Sequence, residues 1–586
     1  MAKIALIGPS YESQSLNADC QSCVNLYPEQ IESGVGNAEL VLYPTPGLKT
    51  SVELSGLSVR GIFTIGLRTF AVSGTDFVEI LSNNTSTVRG SVLNDSLPVS
   101  FASSAQQLLI ASAGTAYVYD LGANTLTPIA GATFSGQVAQ VGYSDGFFIV
   151  LIANSNTFYV SGPLDANDWV TNGASLVSVF PDNLISMLVD HREIWFWSAT
   201  KAVVYYDSGN IFPFDVVPGG FIEQGIAAEF SPAKLDNTIF WLGSDDRGAG
   251  VVWRAQGYTP ARVSNHAIEF AMQGYSRISD AIAFSFQMQG HYFYQLYFPT
   301  ANKTWRYDTA TNMWHEAGFW DVVTASFTAH RSQVHTFNFG KHLVGDWKSG
   351  KVYQMDIPRF SGGVWLFADD DGNPIRRVRR APHLSREQKF TTHHQLQVYL
   401  ESGLGPIPPL PGNEPPSNIP LGDALGGIWF LGVSNIGVLT TNPGFGNAGT
   451  IILNDPGNTT SWLVRVSTLG VLSTITTPFS PFYPQNFALV SADGTQRYGM
   501  QVTTLGVLQT NFMEAITRAP QISLSWSDDG GHSFSNEYAI GAGKAGEFSN
   551  RCMWRRLGRA RDRVYQISMS DPVPWRIVAG YLEVGA

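Results

Sequence analysis

Residues 184–217, LISMLVDHREIWFWSATKAVVYYDSGNIFPFDVV, contain the pattern that the rest of the chain repeats. Short aromatic and β-branched runs alternate in it with turn-forming residues at 190–192, 199–201 and 207–210. Runs of this kind, cut by a few turn formers, are typical of antiparallel strands in a meander. Four such strands form one blade of a β-propeller.

The same four-strand unit recurs along the first two thirds of the chain. Successive units start roughly 35–50 residues apart, which is the interval of propeller repeats. We therefore predict an all-β protein whose residues 51–357 form a propeller of about seven blades, although six or eight blades also fit the soft boundaries. A β-sandwich or a β-helix array is the alternative, and the ring is favoured because it leaves few exposed edges. The units are residues 60–80, 99–128, 138–170, 184–217, 225–263, 278–317 and 323–357.

The composition limits the classes of protein to consider. Charged residues make up only 14% of the 586 residues, against about a quarter in ordinary globular proteins. We therefore expect much of the surface to be buried against other subunits. The net charge of −11 argues against wholesale nucleic-acid binding. No apolar run approaches the ~18 residues of a membrane span, and three cysteines in so long a chain are typical of a protein made in a reducing cytosol.

Residues 1–50 precede the repeats and are predicted to form an extended arm that supplies a strand closing the ring. Cys20-Gln-Ser-Cys23 has the spacing of a zinc half-site or a redox pair. It has no second half-site and no βαβ context, so we predict two small buried residues. We predict neither a metal site nor a cofactor anywhere in the chain.

The last part of the chain is predicted to be a β-domain in two pieces, residues 358–404 and 518–586. Residues 390–403 form a good strand, and its natural partner is 519–527. Between the pieces we predict an inserted, sandwich-like β-domain at 405–517, which begins with a stiff proline-rich linker. A Gly-Val-Leu motif recurs there three times, at 437–439, 470–472 and 506–508. The nearly charge-free insert is either an interaction surface or a small sandwich with its apolar residues in the core.

Two acidic motifs resemble functional sites but are interpreted as turns. Asp369-Asp-Asp-Gly372 fails as a calcium loop, because Pro374 stands where that loop needs its turn glycine. Residues 527–534, SDDGGHSF, match the Asp-box turn of sialidases and related propellers. In those proteins the aspartate accepts backbone hydrogen bonds in a tight turn. The motif occurs once here, so it supports β architecture and gives little support to glycosidase activity.

Two clusters of arginines stand out in an otherwise acidic chain. Six of the thirteen residues from 551 to 563 are arginine. The functional interpretation is a contact with phosphates or with an acidic partner protein, and the alternative is a solvated strand-and-turn face. We predict that these residues serve subunit assembly and docking. The candidates are Arg376, Arg377, Arg379, Arg380, Arg551, Arg555, Arg556, Arg559, Arg561 and Arg563.

Together these features resemble the tail nozzle, or packaged-DNA-stabilisation, family of short-tailed bacteriophages. The resemblance rests on Asn25-Leu-Tyr-Pro28 with Pro46-Gly-Leu48, on residues 180–357, and on a pairing of 395–401 with 523–534. Its most specific part is residues 554–561, WRRLGRAR, with Asp571-Pro-Val-Pro-Trp575. It covers most of the chain except about 404–518.

This resemblance implies a structural virion protein rather than an enzyme. The expected assembly is a homohexameric ring below the portal and its adaptor proteins, made in the host cytoplasm. The ring would close the DNA exit channel, retain the packaged genome and conduct it at ejection without sequence-specific binding. A distal needle, fibre or plug protein is a further expected partner. The alternative is a sialidase-like propeller glycosidase, which needs carboxylates facing the sugar, whereas the acids here, such as Asp207 and Asp308, lie mainly in turns.

Overall fold

A computed structural model describes residues 1–33, 38–245, 247–361, 364–402, 520–543 and 549–585, and the backbone of strands between 419 and 511. The chain forms two compact units. The first contains residues 1–403, 521–543 and 547–586, and the second contains 404–520 and 544–546. The described part of the first unit is almost entirely β-structure, as predicted.

In the described part of the first unit, six quartets of antiparallel strands follow one another, each made of four strands consecutive in the chain. Five quartets are separate sheets, and the sixth is part of a larger sheet. The six quartets are the blades of a propeller. The strands of blades 1 to 3 are Val59–Ile65, Arg68–Ser73, Asp76–Ile80 and Ser86–Ser91; Ser100–Ser103, Gln107–Ser112, Thr115–Asp120 and Thr125–Pro128; and Val138–Ser144, Phe147–Ile152, Thr157–Val160 and Gly173–Leu176. A short 3-10 turn, Gly131–Thr133, separates blades 2 and 3.

Blades 4 to 6 repeat the same order and contain the stretch 184–217. Their strands are Leu184–Asp190, Glu193–Ser198, Ala202–Asp207 and Phe214–Ile222; Ala233–Leu235, Thr238–Ser244, Gly250–Gln256 and Thr259–Arg262; and Ile282–Met288, His291–Phe298, Lys303–Asp308 and Met313–Glu316. One α-helix, His266–Gln273, lies between blades 5 and 6, where the Asn265 side chain caps it by accepting from the Ile268 backbone N–H.

The ring is closed by a composite sheet, so six complete blades replace the seven predicted from the sequence. Ser332–Asn338, Lys341–Asp346 and Lys351–Asp356 pair in order, and the N-terminal strand Gly47–Glu53 adds to the last of them. The predicted seventh quartet lacks a strand of its own because residues 318–329 fold into a separate hairpin, Gly318–Asp321 with Ser326–Ala329. The composite sheet contacts blade 1, where the Gln333 side chain donates to the Val59 carbonyl at 2.7 Å.

Large side chains between neighbouring blades form the core of the ring. Ile194 and Phe196 of blade 4 pack with Ile149 and Phe158 of blade 3, and Ile239 of blade 5 packs with Trp195 and Trp197. Phe293 packs against the closing sheet through Val344 and Tyr353. These residues are buried, which confirms the predicted inter-blade role of Ile194, Phe196, Ile239 and Phe293.

A β-sandwich follows the propeller. One sheet has the order Leu26–Gln30, Leu40–Pro44, Arg576–Gly585, Thr391–Glu401 and Asn550–Arg555, with Ala2–Ile4 and Arg559–Ala560 at its margins. The other continues blade 6 through Cys20–Val24, Arg377–Arg380, Asp562–Met569, Gln521–Ser527 and Tyr538–Gly541, with Tyr11–Glu12 and Leu384–Ser385 beside it. The sheets meet where His393 Nδ1 lies 2.8 Å from the Tyr565 hydroxyl. Two short hairpins lie in the chain between the propeller and the strand Arg377–Arg380, namely Arg359–Ser361 with Val364–Leu366 and Asp369–Asp370 with Asn373–Pro374. The second of them extends the ring-closing sheet beside Gly47–Glu53.

The predicted pairing of the strand at 390–403 with 519–527 is wrong. Thr391–Glu401 pairs with Arg576–Gly585 and Asn550–Arg555. Gln521–Ser527 lies in the opposite sheet, against Asp562–Met569. Alternating hydrophobicity determines which face of a strand is buried but not which strand lies next to it.

His291 joins blade 6 to the N-terminal arm. Its Nδ1 lies 2.7 Å from Asp308 Oδ2, and its Nε2 contacts the Glu29 carboxylate. In its protonated form, His291 carries a proton on both ring nitrogens and can donate to both carboxylates. Burial alone would lower the pKa of His291, but the hydrogen bonds and charges of Asp308 and Glu29 outweigh burial and raise it.

The motifs interpreted as structural are turns or core. Asp529 accepts from the backbone N–H groups of His532 and Ser533 at 3.1 and 2.9 Å, as an Asp-box does. The Asp369–Asp370 hairpin turns at Asp371 and Gly372, both with positive φ. Cys20 and Cys23 are free and buried, as predicted.

The described backbone of the second unit forms three antiparallel three-stranded sheets. The leucine that ends each Gly-Val-Leu motif is the first residue of the third strand of its sheet. The proline-rich linker lies outside the described residues, as do the side chains on which the predicted interaction surface depends. The strands are Ile419–Gly422, Ile428–Val433 and Leu439–Thr441; Gly449–Asn454, Ser461–Val466 and Leu472–Thr474; and Gln485–Val490, Arg497–Val502 and Leu508–Asn511.

Candidate functional site

The first arginine cluster lies inside the subunit. Arg377 and Arg379 are fully buried on the strand Arg377–Arg380. Burial lowers the pKa of Arg377 to about 10, although Asp370 and Asp369 oppose that shift. Neither side chain is accessible, so the prediction that they contact a partner is wrong.

Arg379 instead fastens the N-terminal arm to the sandwich. Its Nε donates to the Leu6 carbonyl at 2.6 Å, its Nη1 donates to the Pro9 carbonyl at 2.8 Å, and its Nη2 donates to Gln21 Oε1 at 2.6 Å. Because main-chain carbonyls satisfy this buried cation, removing the side chain leaves several buried acceptors without a donor.

Arg376 and Arg380, on either side, are partly exposed but already paired. Arg376 contacts the Glu537 carboxylate and lies over the Trp320 ring at 4.8 Å. Arg380 Nη1 lies 3.0 Å from Glu12 Oε1. The cluster at 376–380 therefore serves the fold of the subunit.

Arg563, at the end of the second cluster, is buried too. Its Nε and Nη2 donate to the two carboxylate oxygens of Asp528 at 2.5 and 2.6 Å, and its Nη1 donates to the Leu557 carbonyl. This bidentate pair holds the Asp-box turn against the sandwich. Only 2% of the Arg563 side chain is exposed, so its predicted role in docking is wrong.

The remaining five arginines are exposed. Arg551 and Arg555 are exposed on Asn550–Arg555. Arg556 follows in the turn, Arg559 lies in Arg559–Ala560, and Arg561 comes directly after that strand. Within the part of the chain that the structure describes, none of the five forms an ion pair with a carboxylate. We call them, together with Phe390, the arginine patch; its arginines are Arg551, Arg555, Arg556, Arg559 and Arg561.

Phe390 is the exposed aromatic residue beside Arg559 and Arg561 in this patch, and no motif in the sequence singles it out. Half of the residue is exposed, at 51%. The guanidinium carbons of Arg559 and Arg561 lie 5.5 and 4.6 Å from its ring centroid. Such cation–π contacts are worth about 0.5–1 kcal/mol at exposed sites. They hold two charges in place around an exposed aromatic ring, the kind of group enriched where proteins bind each other.

The charge distribution sets the patch apart from the rest of the molecule. Residues 51–357 contain 25 acidic and 16 basic residues, whereas 549–586 contain seven arginines and three acidic residues. The patch therefore attracts acidic surfaces, and the propeller does not share that preference. Attraction between exposed charges is weakened by salt.

The residues expected of an enzyme or a metal site are not assembled among the described residues. Asp308 is fully buried against His291. Across the described ranges, no group of three histidine, cysteine or acidic side chains is placed to hold a metal ion. Burial raises the pKa of the Cys20 thiol to about 11, which disfavours the reactive thiolate.

Comparison with known families decides which class of protein this is. A family model described as bacteriophage P22 Gp10, beta-propeller, matches residues 6–358, which is more than half of the chain. The chain belongs to the bacteriophage P22 Gp10 family. A second model, bacteriophage P22 Gp10, beta-sandwich, matches residues 495–585. The P22 Gp10 family consists of packaged-DNA-stabilisation proteins, so the chain is a structural virion component with a propeller and a sandwich, as the resemblance implied.

Other comparisons add only a general likeness. No curated protein sequence matches the chain. The designed Ika8 protein shares 13% identity at a TM-score of 0.32, covering 53% of this chain and 100% of its own. The N-terminal domain of Nup159 shares 11% sequence identity at a TM-score of 0.34, and the match covers 57% of this chain and 98% of that domain. A chain of the mitotic checkpoint complex shares 11% identity at a TM-score of 0.33, and the match covers 52% of this chain and 94% of its own. No described helix is long and apolar enough to cross a membrane.

Proposed function

We propose that this P22 Gp10 family member is the subunit of a homohexameric nozzle ring in the tail of a short-tailed phage. The ring lies below the portal and its adaptor proteins, closes the DNA exit channel, retains the packaged genome and conducts it at ejection. It acts without catalysis, and DNA passes through its lumen without sequence-specific binding. A distal needle, fibre or plug protein binds at the far end.

The arginine patch is the observation that carries the docking part of this proposal. Five exposed guanidiniums form no ion pair in the described structure, on a chain of net charge −11. Two of them, those of Arg559 and Arg561, lie over the exposed Phe390 ring. Each exposed charge contributes only about 0–1 kcal/mol. Several together at one interface sum to a few kcal/mol, enough to bring a subunit to an acidic surface on the adaptor or on the next subunit.

The proposal is tested by replacing four arginines of the patch, Arg555, Arg556, Arg559 and Arg561, with glutamine. We expect a folded monomer but particles that lack tails or leak DNA, measured by electron microscopy and by nuclease sensitivity of the genome. The matched control replaces the exposed propeller arginines Arg192, Arg247 and Arg277 and should give normal particles. Intact, infectious particles from the patch variant would contradict the docking role. Intact tails with poor genome retention would instead indicate direct contact with DNA.

A further inference from the structure

The propeller has a central cavity whose lining residues are separate from the arginine patch. It has a volume of 480 Å³ and is lined by the innermost strands of several blades. A cavity of this size is within the range of small-molecule sites, about 300–1,000 Å³. Most of its wall is apolar and aromatic, with Phe63, Phe101, Tyr143, Leu188 and Val334 among the lining residues.

Only two of the lining residues are charged, and only one of these lacks a partner. Lys234 Nζ lies 3.7 Å from Asp190 Oδ1. The side chain of Glu229 has neither a hydrogen bond nor an ion pair with any residue of the described structure. Burial, and next the charge of Asp95, raise the pKa of Glu229 to about 7. A carboxyl group in an apolar cavity, perturbed in this way, is typical of a binding site.

The position of Glu229 is fixed by three other blades. Its carbonyl accepts from Gln140 Nε2 at 3.0 Å and from Ser186 Oγ at 2.7 Å. Both donors are buried, at 5% and 0% exposure. The next carbonyl, of Phe230, accepts from the Ala283 backbone N–H at 2.9 Å. The fold therefore holds the residue that carries the unpaired carboxyl rigidly at the cavity wall.

We propose that this cavity binds a single alkylammonium group, with its ammonium at the Glu229 carboxylate and its hydrocarbon chain against the apolar wall. Charge-assisted hydrogen bonds to a carboxylate are about twice as strong as neutral ones. Aromatic faces such as Phe63 and Phe101, stacked at 5.6 Å, also attract organic cations. A simple anion would be repelled by Glu229, and a neutral hydrocarbon would leave the carboxyl unpaired.

The test is calorimetric titration of the full-length protein with n-hexylammonium, using n-hexanol as the uncharged probe of the same length. We expect one site per chain and a preference for the amine of about tenfold or more, as for a hydrogen bond between charged groups. Glu229→Gln should remove that preference, while Glu223→Gln, an exposed carboxylate six residues away, should retain it. Thermal unfolding checks that both variants are folded.

Equal binding of amine and alcohol to the unaltered protein would overturn the proposal without recourse to any variant. A preference that persists in a folded Glu229→Gln protein would overturn it too. An alkylammonium group can come from a lysine side chain of a protein or from a small-molecule amine. A leucine-rich peptide with one central lysine, titrated in the same way, distinguishes these two sources. Glu229-dependent binding of the peptide alone identifies a protein side chain as the source, and such binding of the free amine identifies a small molecule.

Discussion

Replacing Phe196 with alanine tests the assignment of the inter-blade core. Phe196 is fully buried between blades 3 and 4. Its ring lies 4.8 Å from that of Phe158 and 5.5 Å from that of Tyr205, between centroids. Truncating a buried phenylalanine costs about 3–5 kcal/mol, because transfer free energy is lost and a cavity remains. We expect a loss of this size, a large fraction of the ~5–15 kcal/mol that holds a typical domain folded.

The assay is urea unfolding followed by both circular dichroism and tryptophan fluorescence. With a slope of about 3 kcal/mol/M, the expected loss moves the midpoint down by about 1–2 M. The control is Phe337→Ala, because Phe337 lies in the closing sheet of the same propeller but is 56% exposed. Substitutions at exposed positions usually change stability by under about 0.5 kcal/mol. Equal midpoints for Phe196→Ala and the unaltered protein would refute the blade packing described above.

Three further predictions concern the His291 contacts, the Arg563 ion pair and the insertion at 405–517. The raised pKa of His291 means that its stabilising contribution is complete below about pH 6.5 and is lost as pH rises through the folded-state pKa. Between pH 6 and 9, the free energy of unfolding of the unaltered protein should therefore fall by about 1–2 kcal/mol more than that of His291→Asn. Parallel pH profiles for the two proteins would contradict this. Arg563→Gln should lower the free energy of unfolding by about 2–3 kcal/mol, somewhat less than breaking a fully buried ion pair. The control Arg561→Gln should leave the free energy of unfolding almost unchanged. Equal effects of the two substitutions would show that the burial of Arg563 is wrongly assigned. Replacing 405–517 with a short turn should leave the rest folded, since these residues belong entirely to a separate compact unit. A deletion product that loses the propeller's unfolding transition would rule this out.

The sequence predicts the propeller well because its signals are local. Aromatic and β-branched runs such as Glu193–Ser198, bounded by turn formers, report strand and turn directly. The predicted number of blades was too high because residues 323–329 were included in the seventh four-strand unit. They pair instead with Gly318–Asp321, and the sequence has no pattern that distinguishes a strand of a blade from a strand of a separate hairpin.

The sites were harder to predict because exposure depends on distant contacts. Arg379 and Arg559 belong to equally basic stretches of sequence. Arg379 is buried because carbonyls some 370 positions away, at Leu6 and Pro9, accept its hydrogen bonds. Phe390 and Glu229 are not part of any sequence motif. The fold places two guanidiniums beside Phe390 and an apolar cavity beside Glu229, and neither arrangement is visible in the local sequence.

The proposed ring in the phage tail can be examined in the particle itself by electron microscopy of purified virions, with particle averaging at the tail and an antibody against the sandwich as a marker. We expect a six-fold ring of marked density below the portal and adaptor proteins. A protein absent from virions and recovered only as a free monomer in the lysate would rule out the proposed ring.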